Sequence, residues 1–138
     1  MTRSDPIVCG PGEGERLEAP HRVACVKAEY PELDLLEFEL GPDHEGPRSH
    51  FHERHAHAFY VLDGELEFRV GIETVRARRG TTVLVPSGVV HAFTNPGPAS
   101  ARFLDIHTPQ SRLVDWMRAR ERGEIVDPRD FDVHYVET

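Results

Sequence analysis

The 138-residue chain reads as an all-β fold, a small sandwich or barrel, carrying one helix near its C-terminus. Three observations carry that reading. Short stretches alternate apolar and polar residues at period two, the mark of half-buried strands. Turns bearing glycine or proline separate them at close intervals, as all-β domains require. Only beyond Thr108 does the period become helical. The length suits a single domain, 1–138, with a barrel core at about 33–108, an N-terminal arm at 1–20, and a C-terminal helix at about 111–122 followed by a tail.

The arm is rich in glycine, proline and charge over its first 14 residues and reads as irregular. His21 to Glu29 alternates enough to suggest a first strand, stopped by Pro31. From Leu33 to Leu40, Leu36, Phe38 and Leu40 share one face while Glu37 and Glu39 take the other. Gly41 to Pro47 is a loop, Arg48 to His52 a short strand, and His57 to Leu62 a longer one. Asp63-Gly64 is the strongest two-residue hairpin signal in the chain and leads into Glu65 to Val70. Gly71 and Gly80 turn the chain into Ile72 to Arg78 and Thr81 to Val85. Val89 to Thr94 and Ala101 to Thr108 complete the strands. Ser111 then offers a helix entry and Gly123 a stop. Between them Leu113, Trp116, Met117 and Arg120 share a face, expected to pack on the outside of the barrel or on a partner subunit.

A net charge of −8 argues against nucleic acid or an anionic membrane as partner. No apolar run reaches the roughly 18 residues of a membrane span. The first residues lack the apolar stretch of a secretory signal, so a cytoplasmic location is the default expectation. Cys9 and Cys25 are too few for a disulfide framework or a cysteine-based metal site.

Histidine is the unusual residue: nine in all, five of them between His44 and His57. Residues i and i+2 of a strand project from one face with Cα atoms about 6.5–7 Å apart. His50 and His52 can therefore aim two imidazoles at one point. His57 shares parity with Phe59 and Val61, and His91 shares parity with Val89 and Phe93. Four neutral imidazoles converging in this way suit zinc, nickel, copper or iron. His55 is the alternative to His57, and strand parity favours His57. Phe38, Phe59, Phe93 and Phe103 are candidates for an apolar wall. Asp105 and His107 share parity with Phe103, which makes His107 a candidate general base and the only catalytic candidate. Arg48, on the parity of His50, could meet an anionic substrate. Tyr60 is expected to face away.

These residues carry a resemblance. Gly80, Pro86, Gly88, His91 and Asn95 fit the pattern G-x5-P-x-G-x2-H-x3-N of the cupin superfamily without exception. His50, His52 and Gly64 fit its partner pattern, G-x5-H-x-H-x3,4-E-x6-G, with His57 where the family has glutamate and His44 where it has its opening glycine. The resemblance, over about residues 33–108, implies a jelly-roll-like double-stranded β-helix, a metal held by His50, His52, His57 and His91, and a homodimer. Exchanging glutamate for His57 would raise the net charge of a divalent site from +1 to +2, strengthening the Lewis acid and favouring anionic substrates. Zinc, nickel, iron or copper are therefore expected ahead of manganese. The function so implied is a metal-dependent enzyme, dioxygenase-like, acting on a small oxygen-rich organic substrate. A redox-silent cyclase or isomerase, a non-catalytic binding module, and a metal-free epimerase are the alternatives, and fold alone does not choose among them.

Overall fold

The alternation seen in the sequence resolves into two antiparallel sheets with one core between them. A computed structural model of the chain describes residues 5–136. Its strands are β1 (Glu15–Ala19), β2 (Arg22–Glu29), β3 (Asp34–Leu40), β4 (His50–Phe51), β5 (Ala56–Asp63), β6 (Glu65–Val70), β7 (Glu73–Arg78), β8 (Thr82–Val85), β9 (His91–Thr94), β10 (Ala101–Thr108) and β11 (His134–Tyr135). Helix α1 (Leu113–Glu121) and a 3-10 turn (Pro128–Phe131) lie between β10 and β11. The larger sheet runs β1-β2-β3-β10-β5-β8, and the smaller runs β11-β4-β9-β6-β7. From β3 onward the chain passes repeatedly from one sheet to the other, so the fold is a double-stranded β-helix and not one sheet closed on itself.

Leu36, Phe38, Phe59, Val61 and Phe103 of the larger sheet pack with Leu66, Phe68 and Ala77 of the smaller. Fully burying one such leucine or phenylalanine is worth roughly 1.5–3 kcal/mol. A register slip of one residue would turn a whole row outward, so this row sets which side chains face inward. The alternation that buries Phe59 and Val61 also buries His57.

Three expectations about the strands and the termini need correction. Asp63-Gly64 does not close a hairpin, because β5 and β6 belong to different sheets. It forms the corner between them; Gly64 has φ +75°, and a Cβ there would stand 2.8 Å from the Ser100 carbonyl oxygen. The two-residue turn chemistry serves a corner as well as a hairpin; β6 goes on to form a hairpin with β7, with Val70 opposite Glu73. The arm contains β1, paired with β2 along its length. The tail contains the 3-10 turn and β11, which pairs with β4.

The motif residues have local reasons. The Asn95 side-chain amide donates to the carbonyls of Gly41 (2.9 Å) and Ala99 (2.9 Å), tying the loop after β9 to the end of β3. Gly46, two residues after the position of the expected glycine, is itself required to be glycine: at φ +71° a Cβ would meet the Phe93 carbonyl oxygen at 1.7 Å.

Helix α1 begins where Ser111 Oγ accepts from Leu113 N (3.1 Å) and ends at Gly123, φ +80°. Arg118 anchors it to the larger sheet through Glu29 (2.6 Å). Its apolar face is not applied to the outside of the barrel as expected. Leu113, Trp116, Met117 and Arg120 instead line a cavity of about 340 Å³. Amphipathic spacing shows that a face is covered without showing by what, and here the helix forms part of the cavity wall.

Candidate metal centre

The cavity lies at one end of the core. Its floor is formed by His50, His52, His57, His91 and Asp105, and its sides by Phe38, Phe93 and the helix face. Phe59 and Phe103 are fully buried and stand behind this wall, with Phe59 stacked on the His57 ring at 5.2 Å. Tyr60 turns outward at 41 % exposure.

Each floor imidazole is oriented by its Nδ1. His50 Nδ1–H donates to the Arg48 carbonyl (2.6 Å), His52 Nδ1–H to the Asp132 carbonyl (2.7 Å), and His91 Nδ1–H to the Val89 carbonyl (2.9 Å). His57 Nδ1–H donates to Asp105 Oδ1 at 2.9 Å. A carbonyl or carboxylate only accepts, so these bonds fix the tautomer and leave Nε2 with its lone pair. The Nε2 atoms of His52 and His91 are buried with no protein partner. Leaving a buried polar atom unmet costs about 1–3 kcal/mol, and such atoms gather where a ligand is bound.

The ring nitrogens form two overlapping triads. His50, His52 and His91 bring theirs within 4.8 Å of one another, and so do His52, His55 and His57. Neighbouring ring centroids stand 4.4 Å apart for His50–His91, 4.5 Å for His52–His57 and 5.0 Å for His57–His91. His55 is buried next to the four, its Nε2 3.3 Å from His57 Nε2 and its Nδ1 3.5 Å from Asp132 Oδ2. Two nitrogens bound to a tetrahedral ion at about 2.0–2.1 Å lie roughly 3.3–3.4 Å apart, so this spacing is that of two ligands of one ion. His55 does not line the cavity, whereas His57 does.

Burial holds these imidazoles neutral. It lowers His55 to about 4, with His107 adding to the effect. Burial likewise takes His57 to about 3 against the opposing pull of Asp105, and His91 to about 4 with help from His50. His50 and His52 are lowered by the same cause. Neutral imidazoles are the form that binds metal, so at pH 7 no ligand here need lose a proton first. The donor set, the fixed tautomers and the unmet Nε2 atoms fit a divalent transition ion.

Behind the floor runs a buried line of charge. Asp105 Oδ2 lies 3.2 Å from His107 Nε2, and the Nδ1–H of His107 donates to Asp34. Asp34 Oδ2 also accepts from Ser111 N (3.0 Å) and Ser111 Oγ (2.9 Å). Burial alone would lower His107, but Asp105 and Asp34 outweigh it and raise the ring to about 9. Burial would raise Asp105, yet His107 and His57 hold it below the usual carboxylate range. His107 is therefore a fully buried cation supporting Asp105; it does not line the cavity as a base would. Asp34 shares strand parity with Leu36 and Phe38, a signal in the sequence that could have found it. Asp132 gave no such signal.

Fold and site together define a histidine-floored double-stranded β-helix. The chain belongs to the cupin domain family, whose model matches residues 36–107. Quercetin 2,3-dioxygenase of Bacillus subtilis (strain 168) is 26% identical over 91 residues, a match covering 64% of this chain but 27% of that protein. Among solved structures, KdgF from a Halomonas species superposes with a TM-score of 0.67 at 21% identity, covering 78% of this chain and 94% of its own. Pac13 of Streptomyces, a nucleoside dehydratase, superposes with a TM-score of 0.64 at 15% identity, covering 98% of this chain and 92% of its own.

Proposed function

We propose that this cupin is a metal-dependent enzyme, of dioxygenase type, acting on a small oxygen-rich organic molecule, with His50, His52, His57 and His91 as the metal ligands. The observation that carries the reading is the pair of buried, unmet Nε2 atoms on His52 and His91, each on a ring whose Nδ1 is already engaged. The name of the Bacillus relative supports the dioxygenase choice over a stretch that is only part of that protein. A bound ion would polarise a substrate oxygen and, if redox-active, open dioxygen chemistry. The chain's own residues do the rest. Asp105 and the Asp132 carbonyl hold two of the rings in place, as partners of ligating histidines do elsewhere. Phe38, Phe93 and Trp116 keep the cavity apolar above the floor.

A redox-silent cyclase or isomerase is the second reading, favoured by a donor set of neutral imidazoles that suits zinc as well as iron. Elemental analysis of untagged protein purified without oxygen separates the two. Iron or copper near one equivalent supports the dioxygenase, zinc or nickel the second reading, and a preparation dominated by manganese overturns the metal ranking. His52→Ala and His91→Ala should each lose the metal while far-UV circular dichroism stays unchanged. Loss of metal from His55→Ala but not from His57→Ala would reassign the fourth ligand. Nitric oxide should bind the iron form, and its failure to do so would remove the open position that catalysis requires.

A further inference from the structure

We propose that Arg22, Arg120 and Arg48 form an anion-binding rim that takes the carboxylate of the substrate and leaves its opposite, oxygen-bearing end to the histidine floor. The proposal deepens the metal-centre reading and rests on it for the far end alone. It names the substrate class as a small carboxylic acid bearing a hydroxyl or enolisable carbonyl remote from the carboxylate.

All three arginines line the one cavity that contains the histidines, although the chain as a whole carries a net charge of −8. Among the described residues none of the three has a carboxylate within 4.0 Å, whereas Arg16, Arg102 and Arg118 all do. Arg22 stands out further: its Nε is buried and has no hydrogen-bond partner. Burial and the nearby Arg120 both lower its pKa, with Glu121 only partly offsetting them. The Glu121 carboxylate is meanwhile engaged by Glu18 N at 2.6 Å. Asp105, the acid that lines the cavity, is held by His57 and His107. Unpaired guanidinium groups placed near one another are costly in a free protein and are satisfied when an anion arrives, which the planar fork binds in bidentate fashion.

The other two arginines are held ready. Arg48 lies over the Tyr135 ring at 4.1 Å and Arg120 over the Trp116 ring at 5.0 Å, cation–π contacts that restrain each side chain. Phe93, Leu113 and Trp116 add apolar surface to the same cavity. A carboxylate, an apolar body and a metal-binding oxygen make the ligand that these three kinds of surface select.

Trp116 is the only tryptophan of the chain and lines the cavity, so its emission reports occupancy. The probes are cyclohexanecarboxylate and the isosteric neutral cyclohexanecarboxamide, titrated by Trp116 emission and by calorimetry. The carboxylate should bind at least about tenfold more tightly than the amide. Arg22→Met and the surface variant Arg120→Met should each reduce carboxylate affinity about fivefold or more and leave the amide unchanged. Equal affinities in the wild type, or a preference that survives both substitutions, would overturn the rim. Inorganic phosphate displacing the carboxylate at lower concentration would overturn the carboxylate assignment. Metal binding by the wild-type protein, measured beside the carboxylate preference, separates the two readings. A protein that never binds metal yet prefers the carboxylate refutes the metal centre alone. One that binds metal without the preference refutes the rim alone.

Discussion

A glutamate at position 57 would set a full negative charge directly against a bound ion. The chain instead places a neutral ring there, and Asp105 sits 2.9 Å behind it. The negative charge is thus displaced by one imidazole and not removed, so the +2 expected from His57 alone overstates how positive the centre is. Through its hydrogen bond the carboxylate also makes His57 a stronger donor. Asp105→Asn keeps the shape of the side chain and removes that charge. Zinc affinity, measured by competition with a chromophoric chelator, should fall about 10–100-fold. The same change leaves the buried His107 cation with Asp34 as its only close carboxylate among the described residues, and breaking such a pair costs about 3–5 kcal/mol, so the midpoint of thermal unfolding should fall as well. Unchanged metal affinity with lowered stability would confine Asp105 to a structural role.

At the scale of elements, the C-terminal segment is a clamp on the first histidine motif. β11 pairs with β4, and Val133 beside it is buried. The Asp132 carboxylate accepts from Glu53 N (2.9 Å) and Arg54 N (2.9 Å), which shapes the connection between His52 and His55. Asp132 has φ +59°, a conformation that glycine adopts freely. Asp132→Gly therefore removes the carboxylate without adding backbone strain. It should cost about 1–3 kcal/mol in chemical denaturation and lower zinc affinity about tenfold. If metal affinity is retained in full, the clamp serves the fold and not the site. The strands from β2 to β10 were legible in the sequence because alternation at period two is a local property of every half-buried strand. The segments β1 and β11 were not, because both depend on partners distant in the chain. Asp132 was illegible for a related reason: a carboxylate in an irregular tail looks solvated until the fold covers it. His50, His52, His57 and His91 were brought to one floor as their parity foretold. His55 was buried next to them from an irregular stretch to which strand parity does not apply.

For the whole molecule, the histidines make stability a function of pH with unequal limbs. In the metal-free protein His55, His57 and His91 have folded pKa values of about 4, 3 and 4, below the ordinary value of 6.5 in an unfolded chain. Between pH 6.5 and about 4 the unfolded state takes up protons that the folded state refuses, so stability falls as the pH is lowered through that window. His107 behaves in the opposite sense. Its folded value of about 9 lies above 6.5, so its contribution is complete below pH 6.5 and is lost as the pH rises through 9. Each proton of difference changes stability by about 1.4 kcal/mol per pH unit. Several groups act together on the acid limb and one on the alkaline limb. Urea unfolding across pH 4–10 should therefore give a maximum near neutrality, a steep acid side and a shallow alkaline side. Saturating zinc should move only the acid limb, to lower pH, because ligated imidazoles resist protonation while His107 stands behind the floor. A zinc-dependent shift of the alkaline limb would place His107 at the ion and reverse the arrangement of charge argued for Asp105.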